Sequence, residues 1–114
     1  MKDDFVKIHR RIKSHPVYKN AECFRIFVGF ILDAAWGDYT IKVDGENRRL
    51  QRGQLITSRK ELINDLGISG RSLDRYMKLL EIKFDVIQKI NFGKKYFITV
   101  KNYDFYQKKR MLPK

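Results

Sequence analysis

Only one cysteine, Cys23, occurs in the 114 residues, so no disulfide can close within the chain and no cysteine-rich zinc site can be built from it. Set in an apolar stretch, Cys23 reads as a small apolar group on a helix rather than as a reactive thiol. His9 and His15 lack the spacing of three or four that would place both on one helix face, and they read as surface residues. No metal or other cofactor is expected. Long apolar runs are missing as well. The longest, IFVGFIL at 26–32, falls far short of the ~18 to 20 residues that a membrane helix needs. The opening MKDDFVKIHRRIKSH has no apolar stretch behind its charges, as a secretory signal would. A cytoplasmic location without a membrane partner is therefore the expectation. No paired carboxylates, Ser/His/Asp set or phosphate-cradling glycine loop stands at a useful spacing, so an enzyme is not expected.

Acidic residues are scarce relative to basic ones: 13 Asp and Glu face 25 Lys and Arg, for a formal net charge of +12. Residues 58–114 hold most of the imbalance, with 14 basic against 6 acidic side chains. Clustered cations act at long range on phosphates while hardly touching fold, so the excess is a statement about partners. Nucleic acid is the first candidate and an acidic membrane surface the second. The length suits one core, read as a domain over 1–107 followed by a basic tail at 108–114.

After a charged lead, Pro16 suits the first turn of a short helical segment, and Asn20 can cap the helix that follows. That helix, 21–36, is apolar on nearly every side and should be buried by its own domain or by a second copy, with Gly37 ending it. YTIKVDGENRRL predicts a hairpin around Asp44-Gly45. Leu55, Ile56 and Thr57 predict a strand, and Ser58 with Glu61 matches a capping box opening a helix of about nine residues that Gly67 closes. Ile68 fills the bend, and Ser69 starts a second helix running to about Ile82. DVIQKI and KYFITV then predict a second hairpin with NFGK at its tip and Lys89, Lys94 and Lys95 around it. Tyr103, Phe105 and Tyr106 are expected to pack back, with the chain fraying from Lys108.

The helix after Ser69 carries the functional expectation. On a helical wheel with Arg71 at zero, Leu73, Met77 and Leu80 fall between about 180° and 240°, whereas Arg71, Asp74, Arg75 and Lys78 fall between about 300° and 40°. One face can seat the helix while the other presents three cations beside a helix start that favours phosphate. Arg71 and Arg75 are the expected base readers, since a guanidinium pairs bidentately with guanine O6 and N7. Lys78 suits backbone phosphate. Gly70 would permit close approach, and Ser69 or Ser72 can bond a phosphate oxygen. Arg59 and Lys60 would clamp flanking phosphates, and Lys94 and Lys95 would reach a neighbouring groove. A blander reading stands beside each: surface helices often have a charged face, Asp74 can pair with Lys78, the serines can be caps, and Gly67 and Gly70 can serve backbone geometry alone.

The order RGQLITSRKELINDLGISGRSLDRYMKLLE, then a two-stranded wing, then KNYDFYQ, resembles the amino-terminal winged-helix domain of phage replisome organisers and related DnaD-like replication initiation proteins. HRRIKSHPVYKNAECFRIFVGFILDAAW is similar to that family's lead-in, so the resemblance covers nearly the whole chain. Its most specific pieces are GQLITS at 53–58, LGIS at 66–69 and NYDFYQ at 102–107. Lys83-Phe84-Asp85 stands where the family frequently has glycine, so a different exit from the second helix is expected. The resemblance implies an α+β winged helix-turn-helix with an extra N-terminal helical segment and a small β-hairpin. It also implies binding to double-stranded DNA at a replication origin, contact with other replication proteins, and assembly into a dimer or larger oligomer, for which the apolar helix 21–36 is the candidate surface. Two other readings fit the same residues: a small winged-helix transcriptional regulator, and a winged helix used for oligomerisation or partner docking.

Overall fold

The structure is a computed structural model, and it describes residues 6–35 and 37–103. Trp36, Phe105, Tyr106 and the predicted tail at 108–114 lie outside the described residues. Among the described residues the fold is α+β: three α-helices and two small antiparallel sheets.

The lead is more ordered than its charge predicts. Two 3₁₀ turns, Arg10–Ser14 and Pro16–Lys19, follow one another, and a histidine opens each. His9 Nδ1 accepts from the Arg11 N–H at 3.1 Å, and His15 Nδ1 accepts from the Val17 N–H at 3.0 Å. Both histidines are only partly exposed, and each has a defined capping task that their spacing did not reveal. Ile12 and Val17 anchor the two turns in the core.

Helix α1, Ala21–Asp33, starts under the predicted cap: Asn20 Oδ1 accepts from the Cys23 N–H at 3.0 Å. It ends three residues before the expected Trp36. Ala34 leaves the helix with extended backbone, and Ala35 then donates to the Gln54 carbonyl at 2.7 Å and accepts from the Gly53 N–H at 3.0 Å. These long-range backbone bonds, not Gly37, stop α1. Cys23, Ile26, Phe27, Phe30 and Ile31 are buried within this chain's own core. Leu32 remains the exposed large apolar side chain of α1, at 52%.

Strands β1 (Tyr39–Val43) and β2 (Glu46–Leu50) form the predicted first hairpin, with Asp44 and Gly45 both at positive φ (53° and 84°) as a type I′ turn requires. Strand β3 (Gln54–Ser58) leads into α2 (Arg59–Leu66) and α3 (Gly70–Lys78). The expected continuation to Ile82 is instead a π turn, Leu79–Lys83, closed by the Phe84 N–H on the Leu79 carbonyl at 2.8 Å. Asp85 follows at φ 55°, in the left-handed region, just beyond the π turn. Strands β4 (Ile87–Phe92) and β5 (Lys95–Val100) form the second hairpin, with Gly93 at φ 60° in its two-residue loop.

Strand β5 is central, in the order β3-β5-β4. Leu55 pairs with Ile98 and Ile87 with Val100, and all four are buried on the face that meets the helices. Across that face lie Phe27 and Phe30 of α1, Leu73 and Met77 of α3, and Leu80. At the sheet's end, Gly53 adopts φ +87° and a Cβ there would stand 2.8 Å from Tyr103 Cβ, so glycine is needed for both conformation and space. Among the described residues no helix is long and apolar enough to cross a membrane.

Cys23 is wholly buried, as its apolar setting predicts. Burial, reinforced by the neighbouring Glu22 carboxylate, pushes its thiol up to about 11. A thiol reagent at pH 8 is therefore expected to leave native Cys23 unlabelled and to label it fully in denaturant. Stoichiometric labelling of the folded protein would contradict this placement.

Candidate functional site

Helices α2 and α3 are set by local chemistry. Ser58 Oγ accepts from the Glu61 N–H at 3.1 Å and opens α2. The reciprocal half of the capping box is replaced by a salt bridge: the Glu61 carboxylate lies 3.8 Å from Lys95 Nζ on the second hairpin. Gly67 closes α2 at φ 68°, with its N–H on the Ile63 carbonyl at 2.9 Å. Ser69 Oγ accepts from the Ser72 N–H at 3.1 Å and donates to Ser72 Oγ at 3.0 Å, so both serines are engaged in starting α3. Ser58 and Ser69 thus act as caps, the blander of their two readings.

The helical wheel is realised. Leu73, Met77 and Leu80 are 0%, 4% and 0% exposed, whereas Arg71, Asp74, Arg75 and Lys78 all face solvent. The ion pairing differs from expectation. Asp74 pairs with Arg59 at the start of α2, Nε to Oδ1 at 3.0 Å and Nη2 to Oδ2 at 3.1 Å, and not with Lys78 one turn along. This two-pronged bond holds the Asp74 carboxyl below its usual range and raises Arg59, against a smaller opposing effect of burial. A Cβ at Gly70 would meet the end of the Arg59 side chain, which would have to shift to admit it. Arg59 therefore reaches a phosphate only by giving up this exposed pair with α3.

The remaining cations divide into groups. On the outer face of α3, Arg71 has no hydrogen-bond or ion-pair partner among the described residues, while Arg75 leans on Tyr76, 3.3 Å from Nη2 to its hydroxyl and 4.9 Å from guanidinium to ring centre. A second group surrounds an open groove of about 940 Å³ between α2 and the second hairpin. Lys60, Ile63 and Asn64 line it from α2, beside Arg59; Asn91, Lys94, Lys95 and Tyr96 line it from the hairpin. Asp44, at the tip of the first hairpin, adds a carboxylate. Arg71 and Arg75 are not among its walls, so the structure groups Lys94 and Lys95 with the start of α2 and not with the predicted base readers.

Lys78 belongs to a third place, a smaller recess of about 230 Å³ shared with Asp74, Lys89 and Tyr96. Tyr96 is a wall of both recesses. Lys89, which lines only the smaller one, holds its ammonium 4.4 Å from the Tyr96 ring centre and donates to Asn91 Oδ1 at 3.3 Å.

Tyr96, Asn64 and Asn91 were not singled out by sequence, although strand periodicity carried the signal for two of them. The alternation that buries Ile98 and Val100 puts Tyr96 on the same face, and the register pairs Tyr96 with Asn91 and Ile98 with Lys89. No known family model matches the chain, and neither does any curated protein or solved structure.

Proposed function

We propose that the protein is a winged-helix binder of double-stranded DNA, with α2 and α3 as the helix-turn-helix, α3 as its reading helix and β4–β5 as the wing. The observation that carries this reading is the exposed cationic face of α3, Arg71, Arg75 and Lys78, directly opposite the buried Leu73, Met77 and Leu80. The formal charge of +12 supports it. Arg71 and Arg75 read base edges, Lys78 meets backbone phosphate, and Lys60 provides a flanking phosphate contact. The resemblance in GQLITS and LGIS supports initiation of phage or mobile-element DNA replication as the process served. Protection of an origin from nuclease favours that role, whereas protection of a promoter favours transcriptional control.

A salt titration of duplex affinity tests the reading. Each lost phosphate contact lowers the slope of log affinity against log salt by about 0.9. Affinity that ignores salt would remove the DNA-binding assignment. The Arg59–Asp74 pair supplies a test in the opposite direction. Asp74→Asn deletes a negative charge from the α3 face and releases Arg59, so duplex binding is expected to tighten and the slope to steepen by about one phosphate. Both partners are about half exposed, so the thermal midpoint should stay close to that of the parent. A weaker-binding Asp74→Asn protein of normal stability would show that the fork is required for recognition.

A further inference from the structure

We infer that the groove between α2 and the second hairpin seats an unpaired DNA strand, so that the protein grips a junction where duplex opens. This extends the duplex reading above and rests on it for the polyanionic partner, but apart from Lys60 it uses different residues. Lys60 and Lys94 stand on opposite walls, and neither has a carboxylate partner among the described residues. Lys95 lies beside Lys94 with Glu61 at 3.8 Å. Cations on both walls suit a backbone threaded along the groove.

The lining between them is suited to a base. The Lys89 ammonium stands 4.4 Å from the Tyr96 ring centre, and Tyr96, partly buried, also lines the groove, which brings an aromatic side chain to where a base would lie. Asn64 lines one wall and Asn91 the other; Asn91 Oδ1 already accepts from Lys89, which leaves its NH2 to donate, while the Asn64 amide can donate to or accept from the edge of a base that is no longer paired. A duplex offers neither a free base face nor a free pairing edge, which is why this combination selects single-stranded DNA over duplex. Asp44 repels phosphate and so sets a limit on affinity within the same groove.

Fluorescence anisotropy of the full chain tests this with four probes: a blunt duplex, the same duplex carrying an unpaired tail of about six nucleotides at either end polarity, an abasic version of that tail, and the tail strand alone. One tail polarity is expected to tighten binding about tenfold over the blunt duplex, and the abasic tail to lose most of that gain. Tyr96→Leu and Asn64→Asp should each abolish the gain while keeping blunt-duplex affinity within about twofold. Asn64 is exposed, so Asn64→Asp serves if Tyr96→Leu fails to fold. Asp44→Asn should enlarge the gain about threefold, an effect that misfolding cannot imitate.

Strong blunt-duplex binding without a tail gain overturns the groove inference and leaves the α3 reading standing. Equal gain from the abasic tail, or a gain that survives both Tyr96→Leu and Asn64→Asp, also overturns it. Absent blunt-duplex binding with tail-strand binding that Asn64→Asp abolishes overturns the α3 reading and supports the groove.

Discussion

Combining Arg71→Ala with Arg75→Ala is expected to weaken binding to a preferred duplex by about 2–6 kcal/mol, taking ~1–3 kcal/mol for each arginine that reads a base. Binding to unrelated duplex should fall much less, so the ratio of the two affinities is the quantity to measure. Among the described residues Arg71 has no partner to lose, and Arg75 gives up only its exposed contact with Tyr76, a loss of about 1 kcal/mol at most. The thermal midpoint of the double variant should therefore stay close to that of the parent. Loss of affinity with an unchanged midpoint assigns the arginines to DNA. Unchanged affinity would leave the outer face of α3 without a part in binding.

The largest effect on stability is expected from Phe27→Ala. Phe27 is completely buried in α1, in the core cluster that includes Leu73 of α3 and Ile98 of β5, so its removal loses both transfer energy and packing around the cavity left behind. A cost of ~3–5 kcal/mol follows. Against a total of ~5–15 kcal/mol for a domain, that change brings the protein near its unfolding threshold. Urea denaturation monitored by circular dichroism reads it as a lower midpoint with an unchanged slope. A shift below ~1 kcal/mol would mean that α1 is not seated as described. This result also bears on assembly, because an α1 whose Phe27 and Phe30 are buried internally leaves Leu32, with partly buried Phe24 and Val28, to meet a second copy.

The features legible in the sequence are those decided within a few residues. Asn20, Ser58 and Ser69 are followed at once by the N–H groups they accept from, and Gly67 lies in the left-handed backbone that its position required. The Asp44-Gly45 turn and both hairpins are local in the same sense. The features that were not legible depend on distant partners. The end of α1 is decided by backbone bonds from Ala35 to Gly53 and Gln54, which no pattern in 21–36 encodes. Asp74 had a neighbour of opposite charge one turn away in Lys78, yet the arginine fifteen residues earlier captures it. Within the candidate site, the cationic face of α3 could be read from one helical wheel. The grouping of Lys94 and Lys95 with Lys60 required the placement of the hairpin against α2, and the proximity of Gly70 to the Arg59 guanidinium required that of α2 against α3.

The strand order has a consequence for the birth of the protein. Strand β5 occupies the middle of its sheet but is the last of the three to be synthesised, and its bond from Gln54 to Thr99 joins residues 45 positions apart. At ~5–20 residues per second, a ribosome needs roughly 2–9 s to supply that stretch. Throughout that interval the apolar side of α1, and from its own synthesis onward that of α3, awaits the surface that will cover it, so the nascent chain is open to chaperones and proteases until Ile98 and Val100 emerge.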